Sequence, residues 1–408
     1  MLKEKVNALI KTWDASGFVS IYQDDHLLYE DNFGYKDRNN GIITPIDGTY
    51  LIPKRSRYLL AILIMVCHEH YGLELDDNIS KHIPKYSSEN QITIRHLLFH
   101  ESGLPDYFYG KIMVEKSKDA SHNALTDEAR YVKESQLFYE KLSFDEVLDI
   151  IKDEVLFKAG SKDYWSSTNL VFIEQIIINV MKMPLDEAIE TFIFKPLGLK
   201  ETMRGAKANT VSYVCMRDIH LVKAPYTGDP SLVFTTSNND LVLLMEGLRK
   251  RKILKKETWD YGLIPNKRGE AILCYYRNGM EFYESDCLGY DFVMYIDASS
   301  QVSFLHISNE GMIFKLIDGS WKYFKAELRE VLEAMVTYPK NVYLDTYHER
   351  NAWDAMDLKL AENQKEFVID VKTTLCWALS EPQEKRIHVL MEGYRSIGMI
   401  TGLFSCVQ

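Results

Sequence analysis

The strand-forming segments of this chain lie at the two ends of a long helical middle, and that separation restricts the fold more than any other feature. Near the start, Phe18–Tyr22 and His26–Glu30 flank a Gln23-Asp24-Asp25 turn in a hairpin pattern. Far downstream, Tyr290–Ile296 and Val302–Ile307 alternate in the same way around Asp297-Ala298-Ser299-Ser300. Strands so distant in sequence share a core by meeting in one antiparallel sheet, with the residues between them forming a lobe hung from it. The expected class is α+β: an antiparallel sheet flanked by helices, plus an all-helical lobe over about residues 73–230. The cleft between sheet and lobe is the natural ligand site.

Helical spacing of Val6, Leu9, Ile10 and Trp13 predicts an opening helix stopped by Ser16-Gly17. Arg57–Tyr71 is apolar almost all round and ends at Gly72, so a buried helix is expected there. Residues 108–146 are charged and irregular, an exposed excursion with some helix near Glu134–Lys141, and Trp321–Met335 predicts a closing helix. Thr337-Tyr338-Pro339-Lys340 then breaks the pattern and divides the chain into 1–336 and 337–408. In the second unit Ile387, Leu390, Met391, Tyr394 and Ile397 keep helical spacing, with Pro382 as a first-turn residue. Its apolar content is too high for a disordered tail, which predicts an added C-terminal helical region serving self-association or a protein partner.

Among 408 residues, 48 Lys+Arg stand against 59 Asp+Glu, a net charge of −11 that excludes nucleic-acid backbone as a partner. No run reaches the roughly 18 apolar residues a membrane span needs, since His68, Glu69 and His70 cut short the longest. The first residues are amphipathic and interrupted by charge, unlike a signal peptide. Six cysteines are scattered without a C-x-x-C pair or histidines at metal spacing, so a reducing, cytoplasmic setting is expected, with no metal and no cofactor.

The run Gln91-Ile92-Thr93-Ile94-Arg95-His96-Leu97-Leu98-Phe99-His100-Glu101-Ser102-Gly103-Leu104-Pro105 resembles the I-T-[IV]-R-H-L-L-x-H-x-S-G-L-P signature of the serine β-lactamase-like family, which includes class C β-lactamases, DD-peptidases and related esterases. Gly72–Ile79 with Ile83-Pro84, then Ile193–Met203, then Thr236–Leu241 agree with it in order and spacing. The resemblance covers about residues 3–335 and implies a β-lactamase/transpeptidase-like fold. Within it His96 and His100 are expected to be structural rather than ligands.

The three motifs that carry chemistry in that family have lost their defining residues here. The S-x-x-K helix start, serine attacking a carbonyl and lysine deprotonating it, is represented by Lys54 and Arg57. A guanidinium stays protonated and is a poor base. At about 100° per residue, Ser56 is expected to face away from the pocket. The Y-x-N motif becomes Trp165-Ser166-Ser167, and an indole only donates. The K-T-G motif becomes Tyr283-Glu284-Ser285, where Ser285 removes the clearance glycine gives a substrate along the strand.

Two uses of the old cleft stay open: Lys54, Arg57 and Glu284 as a salt-bridged plug under Trp165, or Lys54 and Arg57 as an anion pocket at a helix N-terminus, walled by Trp165 and Tyr283. The expectation is a catalytically degenerate, β-lactamase-like pseudoenzyme that binds a small, anionic or peptide-like ligand, or a protein partner, in the former cleft. The alternative is a hydrolase or acyl transferase with an altered nucleophile, Lys54 or one of Ser56, Ser166 and Ser167.

Overall fold

The computed structural model describes residues 2–333 apart from 45–46, 87–88, 119–125, 153, 217–219, 267, 278–279, 299–300, 312 and 318–319, together with three C-terminal strands. Helix α1 (Leu2–Trp13) leads into β1 (Gly17–Gln23) and β2 (His26–Phe33), the expected hairpin. A short strand β3 (Thr49–Pro53) delivers the chain to α2 (Arg57–Tyr71). The lobe follows with α3 (Ile94–Leu98), α4 (Tyr107–Lys118), α5 (Asp127–Phe138), α6 (Phe144–Ile151), α7 (Ser167–Met181) and α8 (Leu185–Ile189). Strand β4 (Val233–Ser237), pairing with β3, and helices α9 (Asn238–Arg249) and α10 (Lys256–Gly262) return the chain to the sheet. There β5 (Tyr275–Arg277), β6 (Met280–Cys287), β7 (Tyr290–Asp297) and β8 (Val302–Ser308) form, before α11 (Phe324–Glu333).

The main sheet has the order β5-β6-β7-β8-β1-β2 and is antiparallel throughout, so β8 from the far end of the sequence pairs with β1, Phe18 opposite Ile307. Every residue of β7 is buried, which follows from its place between two layers. One face packs on α2 and the lobe, the other on α1 and α11 through Val6, Trp13, Phe304, Phe324 and Leu328. From Arg57 to Cys67 all of α2 is buried, so a helix apolar all round becomes the axis of the lobe, and Gly72 ends it in the left-handed conformation at φ 67°.

Two expectations are corrected. Helix α11 starts at Phe324 rather than Trp321, because Ser320–Tyr323 pairs with Phe314–Ile317 as a hairpin. The C-terminal helical appendage is not what forms where residues 342–403 are described: β9 (Val342–Thr346), β10 (Lys385–Glu392) and β11 (Arg395–Leu403) make an antiparallel sheet in that order. Apolar residues at Ile387, Leu390, Met391 and Ile397 fit either period over so short a window. β-branched side chains, Gly398 and Gly402, and only two residues between β10 and β11 weigh for a hairpin. Pro382 and the turn expected near it lie outside the described residues.

The signature segments are explained by local bonding. Thr93 caps α3 reciprocally with His96: its hydroxyl accepts the His96 N–H, and His96 Nδ1 accepts the Thr93 N–H at 3.2 Å. Arg95 holds Asp76 in a two-pronged pair at 2.7 and 3.0 Å.

Candidate active-site cleft

The cleft lies where the first turn of α2 meets β6. Strand β3 ends at Pro53, the Lys54 N–H bonds to the Leu232 carbonyl, and the helix begins only at Arg57, with Ser56 as its N-cap. Ser56 makes no capping bond; its hydroxyl lies 2.6 Å from the Pro53 carbonyl and 2.8 Å from Ser285 Oγ on β6. The expectation that Ser56 faces away from the cleft is therefore corrected. Counting about 100° per residue from position 54 fails because Lys54 precedes the helix and has no helical azimuth.

Lys54 is buried and turns to the lobe, its Nζ 3.3 Å from Asp186 on α8 and 5.3 Å from the Phe234 ring. Burial lowers the ammonium pKa, with Asp186 working against that fall. Arg57 is buried too, donating from Nη2 to the Ala271 carbonyl at 2.8 Å and from Nε to the Leu98 carbonyl at 3.3 Å, its guanidinium 4.3 Å from the Tyr275 ring centre. Glu284 leans the other way, 4.0 Å from Lys325 of α11. The structure thus gives Lys54, Arg57 and Glu284 three separate environments and joins them neither in one plug nor in one anion pocket.

Trp165 is 54% exposed, one face stacked on the buried His100 ring at 4.0 Å. Tyr283 points into the core, donating to Glu281 at 2.8 Å and packing edge-on against Tyr58, so it forms no wall with Trp165. Ser167 is held at the start of α7 by Asp106, whose carboxylate accepts both its N–H and its hydroxyl. His100 Nδ1 faces the Asn169 amide at 3.0 Å, and Asn169 Oδ1 accepts from Ser102 at 2.6 Å, a buried structural relay.

Between α2 and β6 the buried Ser56 hydroxyl meets a main-chain carbonyl and a second hydroxyl. Beside it the Tyr58 phenol is pushed far up by burial and stays protonated. Sequence reasoning missed two contributors. Ser285 was assigned only a steric role, and Tyr139, which reaches β6 from the end of α5, sits in a stretch without a motif.

This architecture, an antiparallel sheet with a helical lobe and the cleft at the first turn of the lobe's central helix, is that of the β-lactamase/transpeptidase-like proteins. Over residues 6–215 the chain matches the family model described as Beta-lactamase. The chain belongs to the beta-lactamase family. A teichoic acid D-alanine hydrolase of Staphylococcus aureus is 23% identical over 167 residues, 40% of this chain and 41% of that one, so the match spans about two fifths of the curated relative. Among solved structures, a D-amino acid amidase of Ochrobactrum anthropi SV3 superposes with a TM-score of 0.62 at 17% identity, over 82% of this chain and 98% of that one. An octameric penicillin-binding protein homologue of Pyrococcus abyssi gives a TM-score of 0.61 at 16% identity, over 99% and 96%. At such identities these likenesses concern the fold.

Proposed function

We propose that this protein is a non-catalytic member of the family that binds a peptide-like partner at the former active-site cleft. The observation that carries the reading is the fate of the two chemical positions: Lys54 is spent on Asp186, and Arg57 on two main-chain carbonyls. A neutral lysine or serine next to a base is what acyl transfer requires, and a paired ammonium beside a permanently charged guanidinium supplies neither. Of the expected binding residues, Trp165 and Glu284 present surface, whereas Lys54, Arg57 and Tyr283 are buried. That distribution favours a partner seated on the rim over a small anion held inside. Free thiols at Cys67, Cys215, Cys274 and Cys287 support a reducing, cytoplasmic setting, and among the described residues no helix is long and apolar enough to cross a membrane.

Incubation with a fluorophosphonate and with a labelled penicillin, read by intact mass, is expected to leave the protein unmodified. A stoichiometric adduct on Ser56 or any other serine overturns the reading in favour of a hydrolase with a displaced nucleophile. We assign the C-terminal strands to self-association, a reading supported by the match of the octameric homologue to nearly the whole chain. A chain ended at Lys340 is expected to change its number of subunits by light scattering, and an unchanged number rejects that assignment.

A further inference from the structure

The outer edge of β6 is closed in an unusual way. Strand β5 pairs with it only as far as Phe282, opposite Tyr275, and no other strand among the described residues continues along that edge. Cys287 pairs with Tyr290 across the turn into β7, which directs the Cys287 backbone groups inward and leaves the Asp286 carbonyl and the Leu288 N–H on the outer edge. These two groups are spaced as a neighbouring strand would meet them. A single phenol takes both: Tyr139 donates to the Asp286 carbonyl at 3.3 Å and accepts from the Leu288 N–H at 3.2 Å. A hydroxyl can do this because it is donor and acceptor at once.

Tyr139 is brought there by a fastened segment. Leu137 at the end of α5 offers its carbonyl to Lys111 at 2.8 Å. Gln136 donates to the Pro225 carbonyl at 2.9 Å and accepts from the Thr227 N–H at 3.2 Å. The Tyr139 carbonyl accepts from the Asp229 N–H at 2.8 Å, and its ring meets Tyr226 edge-on at 5.2 Å. Gly228 lies so close that an added Cβ would stand 2.3 Å from Tyr139 Cβ, so this approach needs glycine. The two Gln136 bonds are exposed loop contacts, of the kind that opens at low free energy, whereas the Lys111–Leu137 bond, the Tyr139 ring and most of β6 are buried. The excursion thus acts as a strap over a sheet edge.

We propose that α5 with Tyr139 is an autoinhibitory strap: Tyr139 stands in for the backbone of an extended polypeptide on the β6 edge, and a partner segment docks there by displacing it. Pairing to a sheet edge draws its affinity from main-chain hydrogen bonds, so an extended polypeptide is the chemistry the edge fits. The proposal rests on the binding reading above for its occupant, and on the Tyr139 geometry for the strap.

Amide hydrogen exchange at Leu288 tests the strap in the full chain. Tyr139→Phe, which removes only the hydroxyl, is expected to speed exchange at Leu288 about tenfold while Met294 and Leu305 in the sheet interior stay unchanged. Gln136→Ala keeps the phenol and loosens its anchorage, and is expected to speed the same amide; a purely local bond would not respond to it. Unchanged exchange at Leu288 in either variant overturns the strap. A rhodamine-labelled acetyl-(Thr-Val)3 amide, followed by anisotropy, is expected to bind Tyr139→Ala about tenfold more tightly than the unaltered protein. Equal affinity, or no binding to either, overturns the docking. An acyl adduct in the mass experiment would reject the non-catalytic reading and leave the exchange result standing, so the two failures are separable.

Discussion

Replacing Asp240 by alanine is expected to cost about 3–4 kcal/mol of stability. Asp240 is 2% exposed, and its carboxylate accepts from the backbone N–H groups of Lys200, Glu201 and Thr202 at 3.2, 2.8 and 2.6 Å and from the Thr202 hydroxyl at 2.7 Å. Ser237 caps α9 by accepting the Asp240 N–H, and the Thr236 and Thr202 hydroxyls meet at 2.9 Å. Two segments that the sequence separates by about forty residues are thereby locked, and alanine would leave four donors without their acceptor. Asparagine keeps one carbonyl oxygen and is expected to lose roughly half as much. The check is urea unfolding: the midpoint should fall with an unchanged slope, and a midpoint equal to that of the unaltered protein would show that solvent replaces the carboxylate at no cost.

That lock also shows what the family signature in this sequence encodes. Its matching runs reappear as caps and clamps: Thr93 with His96, Arg95 with Asp76, Asp240 with residues 200–202. These are requirements of the fold, independent of chemistry, so they are readable whatever residues stand at the positions aligned with the family's reactive groups. The sheet from both ends and the buried helix α2 were legible for a related reason, since period and burial coincide there. Sequence reasoning failed where orientation depended on a boundary. Ser56 could be placed only by knowing that α2 starts one residue after it, and helix starts are uncertain by one or two residues. It failed again beyond residue 337, where short apolar runs fit both periods, and at Tyr139, whose role exists only once a loop of the lobe has been laid against a strand about 150 residues away.

The cleft carries the same lesson in energetic form. Two cations one turn apart suggest a shared anion when only the sequence is considered, but each has a nearer way to satisfy its desolvated charge. Lys54 finds the Asp186 carboxylate, which Arg204 also approaches at 2.9 Å, and Arg57 finds main-chain carbonyls that end α3 and precede β5. Both cations are thus satisfied from inside the protein. The Ser56–Ser285 contact closes the cleft between helix and strand.

Acidification is expected to weaken the fold between about pH 6.5 and 4, by up to about 3 kcal/mol, through His306 on β8. The imidazole is 1% exposed, its Nδ1 3.1 Å from the Phe18 carbonyl, stacked on Phe33 and edge-on to Phe324. Burial pushes its pKa down to about 4, Lys325 adding to the fall while Asp291 and the Phe18 carbonyl oppose it. Below the ordinary histidine value near 6.5 the unfolded chain takes up a proton that the folded one refuses, so stability drops as pH falls through this window and levels off below about 4. Asp286 works in the opposite sense: crowding by the protein and then the Asp291 carboxylate across the strand pair raise it to about 6, so folding gains as that group protonates. Its side chain reaches solvent, which keeps this contribution the smaller of the two. Urea midpoints measured from pH 7 to 4 should therefore decline, and His306→Gln, which does not titrate, should be less stable at pH 7 yet flatter across the window. A variant with the same pH slope as the unaltered protein would assign the acid sensitivity to groups other than His306.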